Sequence, residues 1–461
     1  MRFFRPLILL ATLLVAALVS TPARGLAPGA SPLSTVPDWS AEGNQADALF
    51  GSRVGSAGDV NGDGFDDVVV GAFRFDNPDI DEGMSWLYLG SATGLGLSPV
   101  WSVEGDQPNA QLTGGVFAGD VNGDGFDDIA VGAGLYDGDL VDEGRVLLFL
   151  GSASGPSPTP DWVVEGDQAG AVFGNVAAAG DVNGDGYDDL LVGAAGYDNG
   201  EMDEGRAYLF LGSATGLSTT PDWITEGNQV SALYSRVAGI GDVNGDGFDD
   251  VAVGSQWYDG GSLNEGRVFL FKGSVNGLRA KPFRVLEINE ENAVFGNQVA
   301  GAGDLNNDGY DDVIVSALGV NNPTFVQRVF VFMGSRQGTR PVPAVVLQSD
   351  QPTNAHFGIS INRAGDVNGD GFSDIIVGAR LYDVTLTNQG RAFVYAGSAS
   401  GLIATPLQTF DGEQAAEEFA VNVNGAGDVN GDGFGDIIIG AHAWDNPENN
   451  EGRAVVFHGG P

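Results

Sequence analysis

The chain has 461 residues, 73 of them Gly, with 62 acidic against 20 basic side chains, no Cys and a formal net charge of −42. The missing Cys excludes disulfides and thiol chemistry, and the acidity makes nucleic acid and anionic membrane surfaces poor partners. The glycine is periodic rather than low-complexity, so disorder is not indicated.

Residues 1–25 read as a secretory signal peptide. Arg2 and Arg5 precede the apolar run Leu7–Val19, and Ala23-Arg24-Gly25 supplies small residues for cleavage. The run is too short to favour a membrane span, and no other stretch approaches spanning length, so no membrane insertion is expected. Residues 26–36 form a Pro- and Ser-bearing leader, expected to be flexible. With no Cys and no Asn-x-Ser/Thr sequon, the chain leans toward a bacterial secreted protein, either free or held at the cell surface.

From residue 37 to 461 one unit repeats. Its centre is an acidic loop, first seen in Asp59-Val60-Asn61-Gly62-Asp63-Gly64-Phe65-Asp66-Asp67. Oxygen-bearing side chains stand at positions one, three, five and nine, and glycine at position six permits the tight curl that makes them converge. Hard oxygen donors without His or Cys suit Ca²⁺ and suit zinc or copper poorly. Position seven is expected to give a backbone carbonyl, its ring packing into the blade.

The candidate ligands are Asp59, Asn61, Asp63, Phe65 and Asp67 in the first loop, then Asp120, Asn122, Asp124, Phe126 and Asp128 in the second. The third and fourth loops give Asp181, Asn183, Asp185, Tyr187, Asp189 and Asp242, Asn244, Asp246, Phe248, Asp250. The last three give Asp304, Asn306, Asp308, Tyr310, Asp312, then Asp366, Asn368, Asp370, Phe372, Asp374, then Asp428, Asn430, Asp432, Phe434, Asp436. Position eight is acidic in five loops but Ser373 and Gly435 in the last two, so it is not counted as a ligand.

An EF-hand needs Glu at position twelve and flanking helices. Here position twelve is Val70, inside a β-branched run that reads as a buried strand. Loop openings fall 61, 61, 61, 62, 62 and 62 residues apart, the mark of an array of supersecondary units. Each unit shows a small-residue strand such as Val176–Gly180, the loop, a buried strand ending Gly-Ala, a third strand (Gly205–Gly212) and a fourth (Pro221–Gly227). Seven units of four antiparallel strands, with no helical period, predict an all-β fold, a seven-bladed β-propeller.

Phe-Gly pairs such as Phe50-Gly51 and Phe173-Gly174, the Gly-Ala strand ends and the Asp-x-Asn-x-Asp-Gly-x-x-Asp loop together resemble the FG-GAP repeat, the blade of the integrin α-chain head. The resemblance implies up to seven structural Ca²⁺ ions and an adhesion or recognition role toward an extracellular protein or glycan. It also implies that ligand meets the face away from the metal loops. That face carries the longer connections Phe73–Glu82 and Trp257–Glu265. Seven dications would still leave a net charge of about −28. Two other roles stay open, a glycan-active lyase or hydrolase and a purely structural coat or matrix component.

Pro37–Gly43 is fourth-strand text with no blade before it, and Gly452–Pro461 is third-strand text with no fourth strand after it. The two should pair and close the ring, removing both open sheet edges. The recurring Glu-Gly-Arg (Glu204–Arg206, for example) and aromatic-Asp pairs (Tyr197-Asp198) are expected to build blades rather than bind ligand. Blades five and six depart from the pattern: Asn321-Asn322-Pro323 replaces the aromatic-Asp pair, and ten of the 20 basic residues fall between Lys272 and Arg391. No catalytic constellation emerges. His356, His442 and His458 stand apart in sequence, and Gly-Ser-Ala-x-Gly runs such as Gly151–Gly155 read as hairpin turns rather than nucleophile elbows.

Overall fold

The computed structural model describes residues 32–113, 115–319, 325–351 and 354–461. The signal-peptide reading, leader residues 26–31 and Asn321-Asn322-Pro323 lie outside them. The described chain forms seven four-stranded antiparallel sheets, a seven-bladed propeller. We label the strands of each blade A to D from the axis outward.

Strand B is fully buried in every blade, as in Asp67–Ala72 and Asp189–Ala194, which explains its Val, Ile and Leu content. Strand A, such as Arg53–Gly58 or Phe173–Gly180, is built of small residues because seven of these strands crowd the axis. Its register against strand B shifts just before the acidic loop, between Ser56 and Gly58 in blade one and between Ala178 and Gly180 in blade three. The residue absorbing the bulge is a glycine at positive φ (Gly58, 71°), a conformation closed to most side chains.

The hydrophobic core is divided among the joints. Each of seven buried clusters draws on two neighbouring blades; one joins Val69 and Leu87 of blade one to Ile129, Val131 and Phe149 of blade two. Strand-D tryptophans complete these joints. Trp101, Trp162 and Trp223 stand edge-on to Phe149, Phe210 and Phe271 of the next blade, with centroids 4.8, 5.1 and 4.8 Å apart. Their indole N–H groups donate to Ser157, Ser218 and Arg279 carbonyls. Blade four has Arg284 instead, and its Nε donates to the Thr339 carbonyl in the same manner.

The ring closes as the sequence implies. Trp39–Glu42 pairs with Arg453–Phe457 as the outer strand of blade seven, in the register Trp39↔Val456 to Glu42↔Arg453. Trp39 then packs on Tyr88 of blade one at 4.8 Å and donates to the Gly96 carbonyl. Ahead of the closing strand, Leu33 is 2% exposed, bridges to Gly459 and sits in the cluster between blades six and seven. Its apolar side chain fills the joint beside Phe457.

If Trp39 belongs to the ring as fully as the internal tryptophans do, Trp39→Ala and Trp162→Ala should cost alike, about 3–5 kcal/mol each. Denaturant unfolding checks this; a loss under about 1 kcal/mol for Trp39→Ala alone would show that the closing strand is dispensable.

Candidate functional site

The seven acidic loops lie at one end of the propeller, each between strands A and B, and share one winding. Asp59 accepts the Asp63 N–H on Oδ1 (3.0 Å) and the Gly64 N–H on Oδ2 (2.8 Å). Asn61 Oδ1 accepts from Asp63 N at 2.8 Å, and Asp63 Oδ1 from Phe65 N at 3.1 Å. The position-six bond recurs at Asp120, Asp181, Asp242, Asp304, Asp366 and Asp428. Gly64, at φ 88°, faces open space where a side chain would stand, so the glycine serves the turn itself. Blade four differs: Asn244 is buried and its Nδ2 donates to Asp250 Oδ2 at 3.0 Å.

Position nine braces the loop. Asp67 is fully buried; its Oδ2 accepts from Val60 N (3.1 Å) and its Oδ1 from Gly90 N in the C–D turn (2.8 Å). The same pair of bonds holds Asp128, Asp189, Asp312, Asp374 and Asp436. Burial first, and for most of them the acids at positions one and five after it, pushes these carboxyls, Asp67 and Asp250 included, up to about 7.

Position eight does what the sequence did not reveal. Asp127 Oδ2 of blade two accepts the Asp59 N–H of blade one at 2.8 Å, while Asp127 N donates back to the Asp59 carbonyl at 3.2 Å. Asp188, Asp249, Asp311 and Asp66 repeat this reciprocal clasp on Asp120, Asp181, Asp242 and Asp428. Ser373 and Gly435 keep only the backbone half, donating to Asp304 and Asp366 carbonyls. A side chain at Gly58 would meet Asp127 Oδ2 at 2.1 Å, so the glycine leaves room for the next blade's acid. Their recurrence about 70 residues apart was the available signal.

The position-seven rings also reach across. Phe126 lies on Gly62 of the preceding loop, and Tyr187, Phe248, Tyr310, Phe434 and Phe65 lie on Gly123, Gly184, Gly245, Gly369 and Gly431. This corrects the expectation that they pack into their own blade: the bare peptide at position four offers the nearer flat surface. Where that glycine is replaced, Asn307 adopts φ 55°, which Asn tolerates, and its Nδ2 donates to the Gly371 carbonyl at 3.4 Å.

Among the described residues, no three His, Cys, Asp or Glu side chains are gathered tightly enough to hold a metal by themselves. The donor chemistry nonetheless fits a hard cation. Every loop offers oxygen donors, the charges of Asp59 and Asp63 raise the pKa of Asp67, and no ion pair in the described chain reaches a loop carboxylate. Each braced carboxylate oxygen retains a second lone pair.

The opposite face is formed by B–C and D–A loops. Its recurring acids close their own loops: Asp76 Oδ1 accepts Asp81 N at 2.7 Å, and Asp137, Asp198, Asp259, Asp383 and Asp445 do likewise. The recurring arginines lie over the paired rings, Arg145 on Tyr136 at 3.7 Å and Arg206 on Tyr197 at 3.5 Å, and pair with strand-D acids, Arg206 with Glu226 and Arg391 with Asp411. A glutamine the sequence did not flag joins the blades here. Gln107 brackets the Asp137 backbone with two bonds (2.8 and 2.7 Å), as Gln45, Gln168, Gln229 and Gln414 do on their partners.

One cluster has no counterpart in other blades among the described residues. Arg380 donates to His356 Nδ1 (3.2 Å) and pairs with Glu418 (3.3 Å), which also meets His442 Nε2 (3.1 Å). Two of the three histidines, separate in sequence, thus share a network between blades six and seven. His458 instead stands 3.9 Å from Asp38.

The clasp predicts that Asp127→Ala destabilises by about 1–3 kcal/mol, by leaving the Asp59 N–H unpaired, while Asp127→Asn, which keeps an acceptor, costs less. Equal losses in unfolding experiments would remove the clasp from the account.

FG-GAP repeat matches cover residues 114–149, 173–210, 235–271, 295–332, 359–395 and 421–457, and an FG-GAP-like repeat match covers 59–131. The chain is similar to integrin alpha-5 of Xenopus laevis (36% identity over 173 residues, 35% of this chain and 16% of the relative). It is also similar to integrin alpha-IIb of Homo sapiens (34% over 225 residues, 43% and 20%) and integrin alpha pat-2 of Caenorhabditis briggsae (30% over 274 residues, 55% and 20%). The match therefore spans at most a fifth of these relatives' length. With seven in-phase loops, seven blades and these matches, the chain belongs to the FG-GAP repeat family and is an integrin α-like β-propeller.

Proposed function

We propose that this propeller is a secreted, Ca²⁺-braced recognition module that binds an extracellular protein or glycan through the face opposite its acidic loops. One observation carries the reading. At the same place in the B–C loops of blades one to four stand Ile80, Val141, Met202 and Leu263, exposed by 66, 64, 61 and 55%. Each tip is fixed, because its carbonyl accepts an N–H from the following D–A turn, at Asn109, Gly170, Ser231 and Asn292. Large apolar side chains held rigidly in water form a surface suited to a partner. The arc covers four consecutive blades, a footprint for a macromolecule rather than a small solute. No helix among the described residues is long and apolar enough to cross a membrane.

In this reading the loops stabilise rather than recognise. Asp59, Asn61, Asp63 and Asp67, with the Phe65 carbonyl, would hold one ion, as would their counterparts in the other six loops. The ion would supply the positive charge that lets three adjacent carboxylates stay ionised. At extracellular calcium near 1 mM and a Kd of about 10⁻⁴ M, each filled loop adds about 1.4 kcal/mol.

Two measurements test the proposal. Chelation should lower the melting temperature by roughly 10 °C or more, and restored calcium should reverse it; an unmoved transition would refute the structural role of the ion. On an array of extracellular proteins and glycans, the native chain should show a discrete set of partners that Val141→Asp with Met202→Asp weakens at least about tenfold. Identical signals from both proteins would mean that the apolar arc binds nothing.

A further inference from the structure

The seven A strands enclose an axial channel of about 590 Å³, lined mostly by Gly, Ala and Val. At the end where these strands begin, away from the acidic loops, the lining is polar: Arg53, Asn175, Arg236, Gln298, Ser360 and Asn422. Three of the six are used by the scaffold. Asn175 Nδ2 donates to the Ser235 carbonyl (2.7 Å), Asn422 Oδ1 accepts from Val54 N (3.0 Å), and Ser360 Oγ accepts from Val423 N (3.0 Å). Each of these bonds ties one inner strand to the next.

The arginines are placed differently. Arg53 opens strand A of blade one and Arg236 opens strand A of blade four, three blades apart and so nearly across the ring. Neither guanidinium has a hydrogen bond or an ion pair with any described residue, although the other ring-building arginines lie against carboxylates or aromatic faces. Both side chains line the same mouth of the channel, where burial and the charge of Arg236 hold the Arg53 guanidinium below its ordinary pKa. The carboxylates lining the channel are Asp66, Asp127 and Asp311, held in the blade clasps at its other end, where Arg363 also stands.

Two like charges that share one channel mouth repel each other, and no carboxylate among the described residues lines that mouth to offset them. A guanidinium is a planar fork whose donors match two oxygens of one anion. We infer that this mouth of the channel is an oxyanion site, in which Arg53 and Arg236 grip one sulfate, phosphate or carboxylate group between them and the Gln298 amide adds a donor. The ligand is a free oxyanion or the same group at the tip of a larger molecule. In a chain of net charge −42 such a site selects by local geometry against the general field.

The test is equilibrium dialysis of the full chain in 1 mM calcium, with radiolabelled sulfate in one arm and radiolabelled acetate in the other. Saturable binding of about one equivalent is expected in at least one arm, and the tighter arm names the chemistry of the natural group. Arg53→Gln and Arg236→Gln should each weaken binding at least about tenfold, and Arg363→Gln, at the far end, should not. No saturable binding of either anion by the native chain overturns the inference, and so does binding that both substitutions leave unchanged. Thermal melting without anion shows that the variants are folded; should they not be, native stoichiometry and competition between the two anions decide. Loss of partner binding through the apolar arc is measured separately, so failure of either idea is read without the other.

Discussion

The structure depends on one exchange made where each acidic loop meets the next. At every joint the position-eight N–H is given to the preceding blade's position-one carbonyl, and at five of the seven the position-eight carboxylate receives the position-one N–H in return. Because the loops sit at the ends of inner strands that splay apart, this is where a propeller would otherwise expose unpaired backbone. The clasp satisfies it, fixes the angle between blades and leaves the same loop's other oxygens free to curl around an ion. The glycine before position one, at positive φ in every blade, leaves the space that the neighbour's carboxylate fills at five of the joints.

No blade has a core of its own. Every buried cluster lies in a joint, so each sheet is stabilised only by having two neighbours. Departures from the repeat are then tolerated where a neighbour compensates. In blade six Gln389 stands where blades one to four and seven bury a Glu, and its side chain donates to the Gly412 carbonyl. Its companion is Glu417, at a place filled by buried alanines such as Ala171 and Ala232 elsewhere. Glu417 Oε2 accepts from Glu413 N and Gln414 N at 2.6 Å each, so a carboxylate is kept at the joint although its position in the chain has moved.

The number of blades, the strand order, the loop winding and the closing strand were legible because each is a period or a local pattern in one dimension. The β-branched run Asp67–Ala72 and the small residues of Phe173–Gly180 state their depth in the ring directly. What was not legible is contact between blades. Asp127 looks like a spare acid beside a metal ligand until its neighbour's N–H is placed against it, and Phe126 looks like a core ring until Gly62 lies beneath it. The separation of Arg53 and Arg236 by 183 positions conceals that a circular arrangement places them on one channel lining. Sequence spacing reports turns of the chain, whereas these pairs are made by the turn of the ring.

Closure by Trp39–Glu42 has a consequence for how the molecule comes into being. Glu42 receives the Trp444 indole N–H and the Asn446 amide, more than 400 positions later in the chain. During synthesis the earliest part of the ring must wait, with its apolar edge unsatisfied, while six other sheets emerge and stack. The last joint therefore cannot form before Arg453–Phe457 has been made. A chain interrupted before Arg453–Phe457 would leave an open arc with two sticky ends, a natural target for chaperones and proteases.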